Sequence, residues 1–296
     1  MSITSLSTSA PRWMKDSANA ATRRYAVATA GDRPAPDWLI VGCKRGGTTS
    51  LFNYLVRHPG VLPMFPTMRG NKTTDYFFKE QARGDAWYRS HFHTERYRNR
   101  LARTLGYRPV SGEASPFYVW DPRIAERVRA AAPDVRAIML VREPVRRAWS
   151  HYQERVQNGV EALSFADALE AEDERLDGEL DRMREDPGYY SAAYDFYSYR
   201  SRGVYLPQIR NWHATFPREQ LLVIRAEDLY GDTQATFDEV CAFLGIPSVP
   251  MATRSSFNST WRTSDLPPQE VADELAAYYE PHNRELGEYL GRPMGW

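Results

Sequence analysis

Short apolar runs alternate along the chain with longer segments of helical period. Trp38-Leu39-Ile40-Val41-Gly42, bounded by Pro36 and Gly42, predicts a buried strand. A glycine-bearing turn follows. Residues 50–58 then place Leu51, Tyr54 and Leu55 at helix spacing and stop at Pro59-Gly60. Ala137-Ile138-Met139-Leu140-Val141 predicts a second strand. Pro144 stands at a first helical position, opening a helix to about residue 157. Leu221-Leu222-Val223-Ile224 predicts a third strand, ahead of an amphipathic helix over 233–244 closed by Gly245. Strands alternating with helices predict an α/β fold with a central, mainly parallel sheet flanked by helices.

Residues 1–36 are rich in Ser, Thr, Ala and Pro and carry no period, which predicts a mobile N-terminal tail. Residues 37–296 are expected to form a single domain. Residues 161–186 are dense in Glu and Asp, with Leu163, Phe165, Leu169 and Leu176 spaced through them. This pattern predicts a solvated helical excursion over about 160–190, or a lid over a substrate cleft. The 38 basic and 38 acidic side chains balance, which disfavours a nucleic-acid binder. Cys43 and Cys241 cannot make a disulfide framework and fit a reducing compartment. No apolar run reaches the roughly 18 residues of a spanning helix, and the first residues lack the apolar core of a signal peptide. The expectation is a soluble, cytoplasmic protein without a membrane span. The basic set is 34 Arg to 4 Lys, so Lys15, Lys44, Lys72 and Lys79 each merit inspection.

Gly42-Cys43-Lys44-Arg45-Gly46-Gly47-Thr48-Thr49-Ser50 lies between the first strand and its helix. Glycines let backbone N–H groups approach an anion, and a helix N-terminus adds orphan donors and the positive end of its dipole. The hydroxyls of Thr48, Thr49 and Ser50 add side-chain donors. Gly42 and Gly47 have the spacing of a Walker A loop, but Thr48 stands where that loop carries Lys. The cations sit upstream, at Lys44 and Arg45, which argues against ATP hydrolysis.

Residues 44–51 resemble the 5′-phosphosulfate loop of the sulfotransferases that use 3′-phosphoadenosine 5′-phosphosulfate (PAPS), K-x-G-T-T-x-L in many members. Counting back from Thr48, the family's loop cation falls on Arg45, with Lys44 one place earlier. Arg142-Glu143-Pro144, with Arg147, Ser150 and Tyr152, resembles the family's 3′-phosphate motif R-[DE]-P-x-x-R-x-x-S-x-Y. An arginine at a strand end and a hydroxyl two turns into the next helix can clamp one phosphate from two sides. Ser111-Gly112-Glu113-Ala114-Ser115-Pro116, Arg202-Gly203-Val204-Tyr205 and Tyr279-Glu280-Pro281-His282-Asn283 resemble further family segments, in order, over about residues 38–296.

The resemblance implies a P-loop-like three-layer fold and transfer of a sulfuryl group from PAPS to an acceptor hydroxyl, leaving 3′-phosphoadenosine 5′-phosphate (PAP). It implies donor binding by Lys44, Arg45, Gly46, Gly47, Thr48, Thr49, Ser50, Arg142, Ser150 and Tyr205. The cations at Lys44 and Arg45 are expected to support the leaving phosphate without a metal. The acceptor is expected to be a carbohydrate, a glycolipid or a secondary metabolite. The family's general base, a Glu, falls on Thr74, which cannot act as one at neutral pH. Asp75 and Glu113 are the carboxylate candidates for that role, and Lys72 is expected to bridge donor and acceptor. Ala114 replaces a substrate-contacting Lys of heparan-type members, which weakens the case for an anionic glycan. His91 and His93 have no partner at metal-ligand spacing and read as surface or core histidines, with the alternative that one is the base, as the resemblance to His-using family members implies. Two other readings stay open: a P-loop small-molecule kinase, and a PAP-binding relative without activity.

Overall fold

The computed structural model describes residues 12–66, 71–251 and 266–296. Five strands, β1 (Trp38–Gly42), β2 (Val61–Leu62), β3 (Val110–Ala114), β4 (Arg136–Val141) and β5 (Leu221–Arg225), pair in the order β2-β3-β1-β4-β5, every pair parallel. Trp38 is in register with Gly112 on one side and Arg136 on the other.

Both faces of the sheet are covered, which is why β1 and β4 read as continuous apolar runs. Trp38, Ile40, Ile138 and Leu140 point to one layer, where Leu51, Phe52 and Leu55 of helix Thr48–Leu55 meet Phe237, Val240 and Leu244 of helix Thr233–Leu244. Leu39, Val41, Met139 and Val141 point to the other, against Ile124 and Val128 of helix Ile124–Ala131 and Ile209 and Trp212 of helix Tyr205–Thr215. The three-layer α/β expectation holds.

From β1 the chain runs toward β2 and β3, and from β4 it runs the other way to β5. The carboxyl ends of β1 and β4 therefore flank the point where the winding reverses, the place where an open parallel sheet leaves a crevice for a ligand.

One expectation fails, over the described part of the expected tail; residues 1–11 of it lie outside the described residues. Residues 12–36 do not form a mobile tail. Arg12–Ala28 is a helix, Ala26 is fully buried, and Arg23 donates through Nη1 to the carbonyl and hydroxyl of Ser90, both at 2.8 Å. Arg33 is buried, donating to the Phe92 carbonyl with its guanidinium 4.7 Å from the Phe65 ring. Arginines carry this packing, so no hydrophobic period announces it. Residues 161–186 are helical, as Phe165–Glu170, Glu172–Leu176 and Glu179–Glu185. They form the helical excursion that the pattern predicts. Glu172 is buried and anchors the excursion by accepting from the backbone N–H groups of Arg200 (2.5 Å) and Ser201 (2.8 Å).

Candidate active site

The loop after β1 is tied to β4 by Cys43 N–H donating to the Leu140 carbonyl at 2.7 Å. Arg45 (φ 68°) and Gly47 (φ 95°) both take left-handed backbone, and Gly47 caps helix Thr48–Leu55. A Cβ on Gly47 would also stand 2.8 Å from the Tyr230 hydroxyl oxygen, so both conformation and space call for glycine there. The turn aims the helix's unpaired N–H groups into the crevice.

The second arm begins where β4 ends. Glu143 caps helix Pro144–Gln157, its carboxylate accepting from the N–H groups of Val145 and Arg146 at 2.8 Å each. Arg142 thereby projects from the sheet edge, and its Nη1 donates to the Arg45 carbonyl at 3.1 Å. Ser150, on the same helix, accepts from Arg45 Nε at 2.9 Å. The two phosphate motifs touch across the crevice.

Between them lies a cavity of about 380 Å³ lined by Lys44, Arg45, Gly47, Thr48, Thr49, Ser50, Asn53, Lys72, Pro116, Arg142, Ser150, Glu154 and Tyr230. Four cationic side chains and one carboxylate line it, so it suits a polyanion. Most of the expected donor-binding residues meet here. Gly46 lies beneath the lining, where a Cβ would come within 2.6 Å of Cys43 Sγ.

Lys44 and Arg45 both reach the cavity but differ in setting. Lys44 Nζ stands 3.4 Å from Asp195 Oδ1 and 3.9 Å from Glu154 Oε2. Burial, reinforced by nearby Arg202, lowers the Lys44 ammonium to about 8 against the pull of Asp195 and Glu154. Burial works to raise Asp195, but Arg202 and Lys44 outweigh it and hold the carboxylate low. Lys72 enters from the far wall, Nζ donating to Thr49 Oγ1 at 2.8 Å, and burial lowers it too.

Tyr205 is a correction. Its side chain is buried behind the loop, where its hydroxyl donates to the Arg142 carbonyl at 2.7 Å. It supports the strand end that carries Arg142 and does not line the cavity. Glu113 is a second correction. It is fully buried on β3 and accepts from Thr74 N–H (2.5 Å), Tyr118 Oη (2.9 Å) and Tyr88 Oη (3.1 Å). Burial pushes its carboxyl up to about 7. Asp75 also lies off the cavity lining, its Oδ1 accepting from Thr73 Oγ1 at 2.8 Å, although its charge still acts on Lys72. His91 and His93 are buried and contact backbone carbonyls, of Trp87 at 2.9 Å and of Pro63 at 3.2 Å. Among the described residues no group of three or more His, Cys, Asp or Glu side chains is placed to hold a metal.

Asn53, Glu154 and Tyr230 also line the cavity, and the motifs did not single them out. Helical spacing marks two of them: Asn53 follows Thr49 by four residues and Glu154 follows Ser150 by four.

A cationic crevice at the winding reversal of a parallel sheet, with a helix N-terminus in its wall, defines an α/β protein that binds a phosphorylated ligand. Residues 36–250 match the sulfotransferase family, and the chain belongs to it, as a PAPS-dependent sulfotransferase. The chain is 27% identical over 293 residues to heparan sulfate glucosamine 3-O-sulfotransferase 6 of Mus musculus, covering 90% of this chain and 75% of that one. It is 24% identical over 326 residues to the membrane-associated sulfotransferase kil1 of Dictyostelium discoideum, covering 88% and 66%. A crystal structure of a sulfotransferase from Alicyclobacillus acidocaldarius aligns with a TM-score of 0.59 at 27% identity, covering 87% of this chain and 96% of that one. The kinase reading is thereby set aside. Among the described residues no helix is long and apolar enough to cross a membrane.

Proposed function

We propose that this protein transfers the sulfuryl group of PAPS in line to a hydroxyl of a carbohydrate acceptor. The observation that carries the reading is the single cavity shared by the two phosphate motifs, with Arg45 bonded to Ser150 and Arg142 bonded to Arg45 across it. PAPS supplies an activated sulfuryl group on a phosphate that leaves readily. The N–H groups at the start of helix Thr48–Leu55 and the hydroxyls of Thr48 and Thr49 hold the 5′ side. Arg142 and Ser150 hold the 3′-phosphate. Lys44, Arg45 and Lys72 stabilise charge as it moves to the leaving phosphate, the kind of stabilisation that catalyses such displacements. The net positive lining fits a donor of this charge.

A carbohydrate acceptor draws support from the relatives named as heparan sulfate sulfotransferases. Ala114 and Thr74 depart from the heparan-type pattern, which favours a less anionic acceptor. The experiment is transfer from radiolabelled PAPS to a panel of heparosan, neutral oligosaccharides and small hydroxyl compounds. Lys44→Ala and Arg45→Ala, made separately, are each expected to lower turnover by about 10²–10³. Full turnover in both would overturn the assigned roles of the loop cations.

A further inference from the structure

Removing Glu113 and Asp75 from the cavity lining leaves the acceptor hydroxyl without a base. We propose that Glu154 is that base. The assignment rests on the sulfuryl-transfer reading and supplies the proton acceptor it lacks.

Glu154 is the one carboxylate among the described residues that line the cavity. It lies one helical turn beyond Ser150, so the helix that helps hold the donor also presents the carboxylate to it. Its Oε2 packs inward beside Arg155 Nη2 at 3.4 Å and Lys44 Nζ at 3.9 Å, while the side chain keeps 27% of its surface exposed and so stays within reach of a molecule in the cavity. The two cations hold the carboxylate in place. Its charge acts on both Lys44 and Lys72, the two lysines that line the same cavity. Glu113, by contrast, has its oxygens taken by Thr74, Tyr88 and Tyr118 and is sealed from the cavity.

In the step, the acceptor hydroxyl gives its proton to Glu154 as its oxygen forms the new S–O bond. The S–O bond to the 5′-phosphate breaks, and that phosphate leaves with the electron pair as PAP. The proton then passes from Glu154 to water.

The test uses the full chain with Glu154→Gln and Glu154→Ala, radiolabelled PAPS and two acceptor probes. One probe is a neutral oligosaccharide, whose hydroxyls need a base. The other is 4-methylumbelliferone, a phenol ionised in alkaline buffer that needs none. Both variants are expected to lose about 10²–10⁴ in kcat toward the oligosaccharide. The loss toward the phenolate should be far smaller, and affinity for PAP at about pH 7, below the Lys44 value, should not weaken. Full activity toward the oligosaccharide in either variant would overturn the assignment. Equal losses with both probes, accompanied by weakened PAP binding, would also overturn it and make Glu154 a donor-positioning residue. A wild type that binds PAP but transfers to neither probe and does not hydrolyse PAPS would overturn the sulfuryl-transfer reading itself.

Discussion

The backbone N–H of Thr74 donates to Glu113 Oε2 at 2.5 Å. The adjoining Lys72 carbonyl accepts from Ala114 N–H at 2.6 Å. Together these bonds dock residues 72–74 along β3 and carry Lys72 to the far wall of the cavity. Thr74, the residue on which the sequence resemblance puts the family's base, here holds through its main chain the wall that presents a cation.

Glu113 therefore links pH to stability. Its carboxyl sits at about 7 in the folded chain, above its usual value of 4.5. Between those values the folded state holds a proton that the unfolded state has lost, so this group's contribution to stability falls as pH rises and then levels off. His93, lowered to about 4 by burial, works in the opposite direction. The difference between wild type and Glu113→Gln isolates the Glu113 contribution. Calorimetric Tm values from about pH 5 to about pH 8 are expected to fall more, or rise less, in the wild type than in the variant. Parallel profiles would contradict the buried-network assignment.

Lys44 links pH to donor affinity. Its ammonium is lowered to about 8, and a bound phosphate favours the charged form. PAP affinity should hold steady below that value and weaken above it, approaching tenfold per pH unit. Proton uptake should accompany binding near pH 8. Titration calorimetry in buffers of different ionisation enthalpy reads both, and Lys44→Ala should abolish the uptake.

Arg142→Ala is expected to weaken PAP far more than AMP, which lacks the 3′-phosphate, by roughly 2–3 kcal/mol for a lost charged hydrogen bond. Equal loss for both ligands would place Arg142 elsewhere on the nucleotide. Tyr205→Phe removes the 2.7 Å bond to the Arg142 carbonyl. It should cost only about 1 kcal/mol, because it loosens the support and leaves the clamp.

Glu172→Ala would leave the N–H groups of Arg200 and Ser201 without their buried acceptor. A loss of about 2–4 kcal/mol is expected in chemical denaturation, with PAP affinity retained. Loss of PAP binding in the folded variant would show that the acidic excursion reaches the site after all.

Legibility in the sequence followed burial. β1, β4 and β5 announce themselves because their apolar side chains serve the sheet's two faces. β3 does not, because Ser111, Gly112 and Glu113 are central to it and their polarity is satisfied inside the fold. β2, only two residues long, carries no pattern. The N-terminal packing is hard to read for another reason: among its contacts are those of Arg23 and Arg33, polar side chains that hydrophobic period does not register. The phosphate loop and the Arg142–Ser150 arm were readable because their chemistry demands fixed spacing next to a strand end. Tyr205 shares the Arg202-Gly203-Val204-Tyr205 segment, but its hydroxyl turns to the Arg142 carbonyl, a direction that spacing does not carry. Glu154 follows Ser150 by one helical turn but belongs to neither phosphate motif.

The central claim is that this crevice holds a 3′,5′-bisphosphorylated adenosine. Calorimetric titration of PAP, ADP and ATP, first without metal and then with magnesium, tests it most directly. Tight PAP binding that needs no magnesium, with ADP and ATP far weaker, is the predicted result. Preference for ATP with magnesium would contradict it.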